Sequence, residues 1–238
     1  MNTTHILLVS YHRPLDLQES INSILAHTSD FHLHIIDNSC GAINSLLDSY
    51  VVNPCISIYK NSSNLGKGGA FMLHYQHIMK HISTNHFVSI DGDIKVSHNW
   101  LSRLISSANK LSFDYAMLAP TIIDTPGDCF DRQLRSNRFI MHQCNKLTHF
   151  RDEIYYNRYT AGPLFLINKQ FFDSVGGYPT NQLYGNEDGV LCNKARIHNK
   201  FIGIVSNVNV QHMRTQEDAG YKRWKQIAMK QNVAGYWD

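Results

Sequence analysis

Phe87-Val88-Ser89-Ile90-Asp91-Gly92-Asp93 is an apolar run ending in two carboxylates separated by a glycine. The run reads as a buried strand, so its end is a rigid mount, and Gly92 leaves room for a ligand or metal near the backbone. Two carboxylates held together repel unless a cation or a shared proton compensates them. A hard divalent ion such as Mn²⁺ or Mg²⁺ is the natural compensator, because it takes oxygen ligands and keeps positions open for phosphate. Asp-Gly-Asp is equally a turn sequence, and on these residues alone the two readings are evenly matched. Three other places carry related chemistry. Asp37-Asn38 closes an apolar run, where an acid suits a ribose hydroxyl, a base N–H or a plain helix cap. Glu187-Asp188 opens an amphipathic stretch, where the helix dipole favours acids and a general base could stand. His212 ends another apolar run. A lone histidine there is more often structural, yet with Asp91 and Asp93 it would complete a mixed oxygen and nitrogen site for Mn²⁺.

The elements that must position these groups alternate between strand and helix. Residues 5–10 form an apolar strand. Leu17, Ile21, Ile24 and Leu25 then recur at helical spacing behind Pro14, a favourable first helical residue. Strands follow at 33–37, 56–59 and 87–90, with a helix over 43–50 and another carrying Met72, Tyr75, Ile78, Met79 and Ile82 on one face. Short connections between them predict a mostly parallel sheet covered on both faces. Beyond residue 100 the rhythm changes. Helices are expected over 100–111, 169–175 and 188–198, strands over 116–123, 139–141, 164–167, 201–205 and 208–211, and a polar loop over 125–136. No repeat, low-complexity segment or linker divides the chain, so it reads as one α/β domain with a mixed C-terminal half.

Between the third strand and its following helix lies Asn64-Leu65-Gly66-Lys67-Gly68-Gly69-Ala70. It lacks the Gly-Lys-Ser/Thr ending of a P-loop and the third glycine of a dinucleotide fingerprint. Cradling a phosphate and packing closely on the sheet are comparable roles for it.

The order of these pieces resembles family 2 of the inverting glycosyltransferases, with the GT-A fold. Val9-Ser10-Tyr11-His12-Arg13-Pro14 resembles that family's opening strand and loop, and Ile35-Ile36-Asp37-Asn38-Ser39 its second strand. Asn64 to Gly69 resembles its Asn-x-Gly loop, and Asp91-Gly92-Asp93 its metal-binding Asp-x-Asp. Ala161 to Ile167, with Val175-Gly176-Gly177-Tyr178, resembles the acceptor-side strand and helix. Glu187-Asp188 and His212 resemble its Glu-Asp motif and late histidine. Val190 and Lys194 stand where the family often carries a second acid and an arginine. The resemblance implies a Rossmann-like sheet, divided into a nucleotide-sugar half (1–100), an acceptor and catalytic half (101–215) and a C-terminal helical tail (216–238). It implies a nucleoside-diphosphate sugar donor, UDP- or dTDP-linked, held by Ser10, Tyr11, Arg13, Asp37, Asn64, Gly66, Lys67, Asp91 and Gly92. Mn²⁺ or Mg²⁺ would be held by Asp93, with Asp91 and His212. Asp188 would be the general base, with Gly162 and Glu187 beside a saccharide or lipid-linked saccharide acceptor of bacterial surface-glycan assembly.

Composition sets bounds on the alternatives. In 238 residues, 43% hydrophobic and 17% charged content describes a folded globular chain. The 22 basic against 19 acidic residues leave +3, too little to argue for nucleic acid. The five cysteines are odd in number and never spaced Cys-x-x-Cys, which suits reduced thiols in a cytoplasmic protein. The fourteen histidines show no zinc spacing. Residues 221–230 place Tyr221, Trp224, Ile227 and Ala228 along one side with four basic residues, suiting either a packed helix or peripheral contact with the inner face of an anionic membrane. Two other functions compete. A haloacid-dehalogenase-type phosphotransferase would use Asp91 as nucleophile, although Lys95 stands where that motif wants a small hydroxyl or branched residue. A non-catalytic sugar-nucleotide-binding scaffold would keep the fold without turnover.

Overall fold

The computed structural model describes residues 3–111, 115–124, 148–160, 162–213 and 215–231. The loop expected at 125–136 and the strand at 139–141 lie outside them. The described elements are β1 (Thr4–Ser10), α1 (Pro14–His27), β2 (Phe31–Asp37), α2 (Asn44–Leu47), β3 (Ile56–Lys60), α3 (Gly66–Met79), β4 (His86–Asp91), β5 (Ile94–Val96), α4 (Trp100–Lys110), β6 (Tyr115–Asp124), β7 (Thr148–Arg151), β8 (Ile154–Tyr156), β9 (Leu164–Asn168), α5 (Lys169–Ser174), α6 (Glu187–Ile197), β10 (Phe201–His212) and α7 (Ala219–Gln231).

These strands form one sheet in the order β3-β2-β1-β4-β9-β6-β10-β8-β7, with β5 paired to the end of β10. β3, β2, β1 and β4 are mutually parallel. β9 is reversed between β4 and β6, and β10 runs parallel to β6. The main strands therefore share one direction, and their C-terminal ends share one edge. Alternation along β1 sends Ile6 and Leu8 into one core with Leu17, Ile21, Ile24 and Trp100. Leu7 and Val9 enter the opposite core with Phe71, Tyr75, Phe172 and Leu191. Each fully buried aliphatic or aromatic side chain contributes about 1.5–3 kcal/mol, so two filled faces hold the sheet as a rigid mount for its edge.

Two departures from the expected elements bear on the site. The breaks at Ser206 and Asn207 do not divide the last strand. They fall at a register shift inside one continuous β10, between Val205 and Asn209, where a bulge absorbs the polar residues. Short β5, invisible to periodicity at three residues, pairs antiparallel with β10 so that Ile94 faces His212.

At the opposite edge, β1 and β2 carry a histidine cluster. His5 Nδ1 lies 2.9 Å from His34 Nε2, and the His32 and His34 rings are 4.7 Å apart. Burial, with repulsion from His32 and His5, pushes His34 from 6.5 down to about 3. The unfolded chain takes up a proton that the folded chain excludes, so stability falls as pH drops below 6.5 and continues to fall toward 3. The loss expected from His34 between pH 6.5 and 4.5 is about 2 kcal/mol. Urea unfolding midpoints across that range should fall steeply in the wild type and less steeply in His34→Phe.

Candidate active site

The C-terminal ends of β1, β2 and β4 meet in register, with Ser10 opposite Asp37 and Val9 opposite Asp91. Above them opens a cavity of about 330 Å³, lined by the β1–α1 loop, the start of α3, Asp91 to Asp93, the start of α6, His212 and the inner side of α7. Such an edge is where open α/β sheets bind ligands.

Asp93 is buried and gathers a guanidinium and an imidazole. Arg13 Nη2 lies 2.5 Å from its Oδ2, and His212 Nε2 lies 2.9 Å from the same atom. The fold imposes both contacts. His12 and Arg13 are left-handed at φ 53°, a costly conformation for non-glycine residues that turns the chain into α1 just before Pro14. The β5–β10 pairing, with the Met213 N–H donating to the Asp93 carbonyl at 2.8 Å, fixes His212 alongside. Burial would push the Asp93 carboxyl upward, but His212 and Arg13 outweigh it and hold the group ionised well below the usual carboxylate range.

A second set is organised by Lys67. Its Nζ lies 2.8 Å from Asp91 Oδ1 and 3.7 Å from Asp188 Oδ1, and donates to the Gly162 carbonyl at 3.0 Å. The Gly162 N–H in turn donates to Asp188 Oδ2 at 2.8 Å. Asp188 Oδ1 is itself buried, faces Lys67 Nζ at 3.7 Å and has no hydrogen-bond partner among the described residues. Asp91 is raised by burial and by Asp93 against the pull of Lys67, whereas Lys67 is raised despite burial because two carboxylates face it. Glu187, at the start of α6, is buried and raised for the same reason of desolvation, Lys67 only partly offsetting it.

The glycine-rich loop is mostly the first turn of α3 itself. Side chains at Gly66 or Gly68 would collide with the backbone oxygens of Gln182 or Pro179. These glycines let the 179–183 segment cross the helix on its way to Glu187-Asp188, so here close packing accounts for them. Gly92 faces Ser10 and Leu17 across 3.3–3.4 Å, so protein rather than ligand occupies the space beside it.

The remaining candidate donor-site residues divide. Tyr11, Arg13, Asn64, Gly66, Lys67, Asp91 and Gly92 line the cavity, as does Ser10. Asp37 does not. It is fully buried below the cavity floor, with Oδ1 accepting from the Ser39 N–H at 2.8 Å and Oδ2 without a partner among the described residues. Its neighbour Asn38 takes the lining position, donating to Asn64 Oδ1 at 2.7 Å and accepting from the Leu65 N–H at 3.0 Å. On the acceptor side Glu187 and Asp188 line the cavity, and Gly162 stands directly behind Asp188.

Tyr159, Tyr184, Tyr221, Trp224 and Lys225 also line the cavity, and sequence reasoning did not place them there. The amphipathic pattern of 221–230 was the available signal. It gave a helix with Tyr221 and Ala228 inward, but Ile227, expected on the same side, is exposed, and Lys225 is turned to the site rather than to a solvated basic face. Lys222, Arg223 and Lys230 remain exposed. Among the described residues no helix is long and apolar enough to cross a membrane.

Two carboxylates and an imidazole are a donor set suited to Mn²⁺. Asp93 and His212 already adjoin, whereas Asp91 faces Lys67. Among the described residues no three acidic, histidine or cysteine side chains are assembled around one point. The chemistry of the residues fits a divalent ion on Asp93 and His212, with Asp91 turning from Lys67 to join them.

Comparisons with known proteins agree with this architecture. No curated protein sequence matches the chain. Among solved structures, GalNAc-T7 with UDP, GalNAc and Mn²⁺ superposes with a TM-score of 0.68 at 17% identity, covering 90% of this chain and 44% of that one. The mannosyltransferase PcManGT from Pyrobaculum calidifontis, in complex with GDP-Man and Mn²⁺, gives 0.68 at 14% identity, covering 99% and 66%. This chain thus spans under half of the first and about two thirds of the second, and at these identities the likeness establishes the fold, the GT-A arrangement of sheet and helices. Residues 5–176, which include Asp37, the Asn64–Gly69 loop and Asp91-Gly92-Asp93, match the family described as glycosyl transferase family 2. The chain belongs to glycosyl transferase family 2.

Proposed function

We propose that this protein transfers a sugar from a nucleoside-diphosphate donor to an acceptor hydroxyl, with inversion at the anomeric carbon. The observation that carries this reading is that a single cavity is lined by Asp91, Asp93 and His212 and also by Asp188. Transfer needs the first group to stabilise departing diphosphate and the second to take a proton from the attacking hydroxyl. Asp93 and His212, joined by Asp91, would hold Mn²⁺ or Mg²⁺, which supplies Lewis-acid stabilisation of the leaving diphosphate worth several kcal/mol. Arg13 stands beside them, able to pair with a phosphate oxygen. Ser10, Tyr11, Asn38 and Asn64 form the floor for the nucleoside. The Asp188 carboxylate would accept the hydroxyl proton, and Gly162, through its N–H, fixes how that carboxylate is aimed. Glu187 lies on the same acceptor side. For the acceptor we propose a surface-glycan or lipid-linked saccharide, the exposed Lys222, Arg223 and Lys230 of α7 providing peripheral attraction to an anionic membrane. The family match leaves the phosphotransferase reading of Asp91 without support.

The test is thermal stabilisation by UDP-, dTDP- and GDP-sugars with Mn²⁺, followed by turnover of any donor that stabilises. A donor at 100 times its dissociation constant adds ~2.7 kcal/mol, which raises the melting temperature by roughly 5–10 °C. Transfer should stop in EDTA and return with Mn²⁺ or Mg²⁺. Absence of stabilisation by every donor would count against the proposal. Stabilisation without turnover across a broad acceptor panel would turn it into a binding scaffold.

A further inference from the structure

The segment from Thr215 through α7 lies beyond the residues that match the family, and it is fastened to the site at several points. Thr215 Oγ1 donates to Asp16, and Gln216 Oε1 accepts from the Leu15 N–H at 3.0 Å, capping the first turn of α1. Asp218 Oδ1 accepts from the Tyr221 N–H at 2.7 Å and starts α7. Between these anchors Glu217, its side chain 2% exposed, pairs with Arg13 at 3.4 Å and with Lys225 Nζ. Lys225 Nζ also lies over the rings of Tyr221 and Tyr184, at 5.0 and 5.3 Å. The cation is thereby fixed in place by an anion and two aromatic faces, and it lines the cavity together with Arg13 and His212.

Burying an Arg–Glu–Lys set is expensive, and apolar side chains of similar volume would often hold two elements together at least as well. A charged set at a cavity wall is therefore a candidate for binding work. On this wall Asp93 and Glu217 are each already matched by Arg13, and a diphosphate entering beside them would bring further negative charge.

Resting on the donor reading above, we infer that Lys225 is a diphosphate-binding residue of the donor site, delivered by α7, and that Glu217 is the positioning residue that aims Lys225 and Arg13. A charge-assisted hydrogen bond from Lys225 to a phosphate oxygen corresponds to about 10- to 100-fold in affinity. Isothermal titration of the full chain with UDP and GDP, each with Mn²⁺, provides the test. Lys225→Gln should weaken the nucleoside diphosphate that binds wild type by about 10- to 100-fold, and the matching monophosphate by no more than about 3-fold. Lys225→Arg should restore diphosphate binding to within about 3-fold, because it keeps the charge. Glu217→Gln should weaken diphosphate binding while leaving Lys225 in the chain, a result that a cation acting without positioning would not give. Wild-type affinity in Lys225→Gln, or equal loss for mono- and diphosphate, overturns this inference alone. A wild-type protein that binds neither nucleotide overturns the donor reading and this inference with it. Should Lys225→Gln fail to fold, the Lys225→Arg and Glu217→Gln titrations decide the matter by the same diphosphate-to-monophosphate ratio.

Discussion

Asp188→Asn should lower turnover by ~10²–10⁴-fold while donor affinity stays within about 3-fold of wild type. The substitution keeps the side-chain shape and an oxygen to accept from the Gly162 N–H, but it removes the site that receives the proton. Lys67 keeps Asp91 at 2.8 Å and the Gly162 carbonyl at 3.0 Å, so its position does not depend on Asp188. Loss of the 3.7 Å pair between Lys67 and Asp188 should cost under about 1 kcal/mol of stability. Single-turnover kinetics and donor titration separate the two effects. Near-normal turnover of the Asn variant would remove Asp188 from the mechanism. Gly162→Ala offers an independent route to the same conclusion. Its added methyl would collide with the Asp188 carboxylate and the Phe165 ring, so the base must move although no titratable group has changed. A displacement of about 1 Å typically costs on the order of 10²-fold in rate.

The features legible in the sequence were those that follow from local pattern. Apolar alternation and helical spacing located the strands and helices around β1, β2, β4 and α3, because neighbouring residues decide which face is buried. The acids at strand ends were legible too, since a strand fixes where its last residue points. What escaped were meetings between distant segments. Three-residue β5 carries no periodicity, yet its pairing with β10 brings His212 to Asp93 across 119 positions. The glycines of 66–69 left a phosphate cradle and close packing evenly matched, because nothing local shows the 179–183 segment crossing them. Asp37 looked like a ligand contact or a helix cap by its strand position, whereas burial sets it beneath the cavity and leaves Asn38, itself buried, to line it. Lys225 looked like one of four solvated cations, because the acid that draws it inward, Glu217, lies eight residues earlier, outside the helix. In each case the sequence held the residue, and the partner that decides its role was fixed only by tertiary packing.

Asp93→Asn is expected to impair both stability and chemistry, and pH tells the two apart. In the wild type Asp93 neutralises Arg13 at 2.5 Å and contacts His212 at 2.9 Å inside a buried pocket. Removing its charge takes the closest carboxylate from the buried Arg13, which keeps Glu217 at 3.4 Å, a change that costs up to roughly 3–5 kcal/mol, or about 6–20 °C in melting temperature for a chain of this size. Because the folded-state carboxyl is held below its unfolded value by His212 and Arg13 against burial, its contribution is complete above the unfolded value near 3.8. It is lost as pH falls through the folded value. The stability gap between wild type and Asp93→Asn should therefore hold constant from pH 7 to about 5 and close in stronger acid. The histidine-driven loss associated with His34 begins earlier, below 6.5, and is common to both proteins. Transfer should fall by about 10³-fold, the effect of losing several kcal/mol of leaving-group stabilisation, and Mn²⁺ should no longer raise the melting temperature in the presence of donor. A variant that is less stable but still transfers sugar in response to Mn²⁺ would confine Asp93 to anchoring Arg13 and His212. Under that result the divalent-ion role would pass to other residues of the cavity.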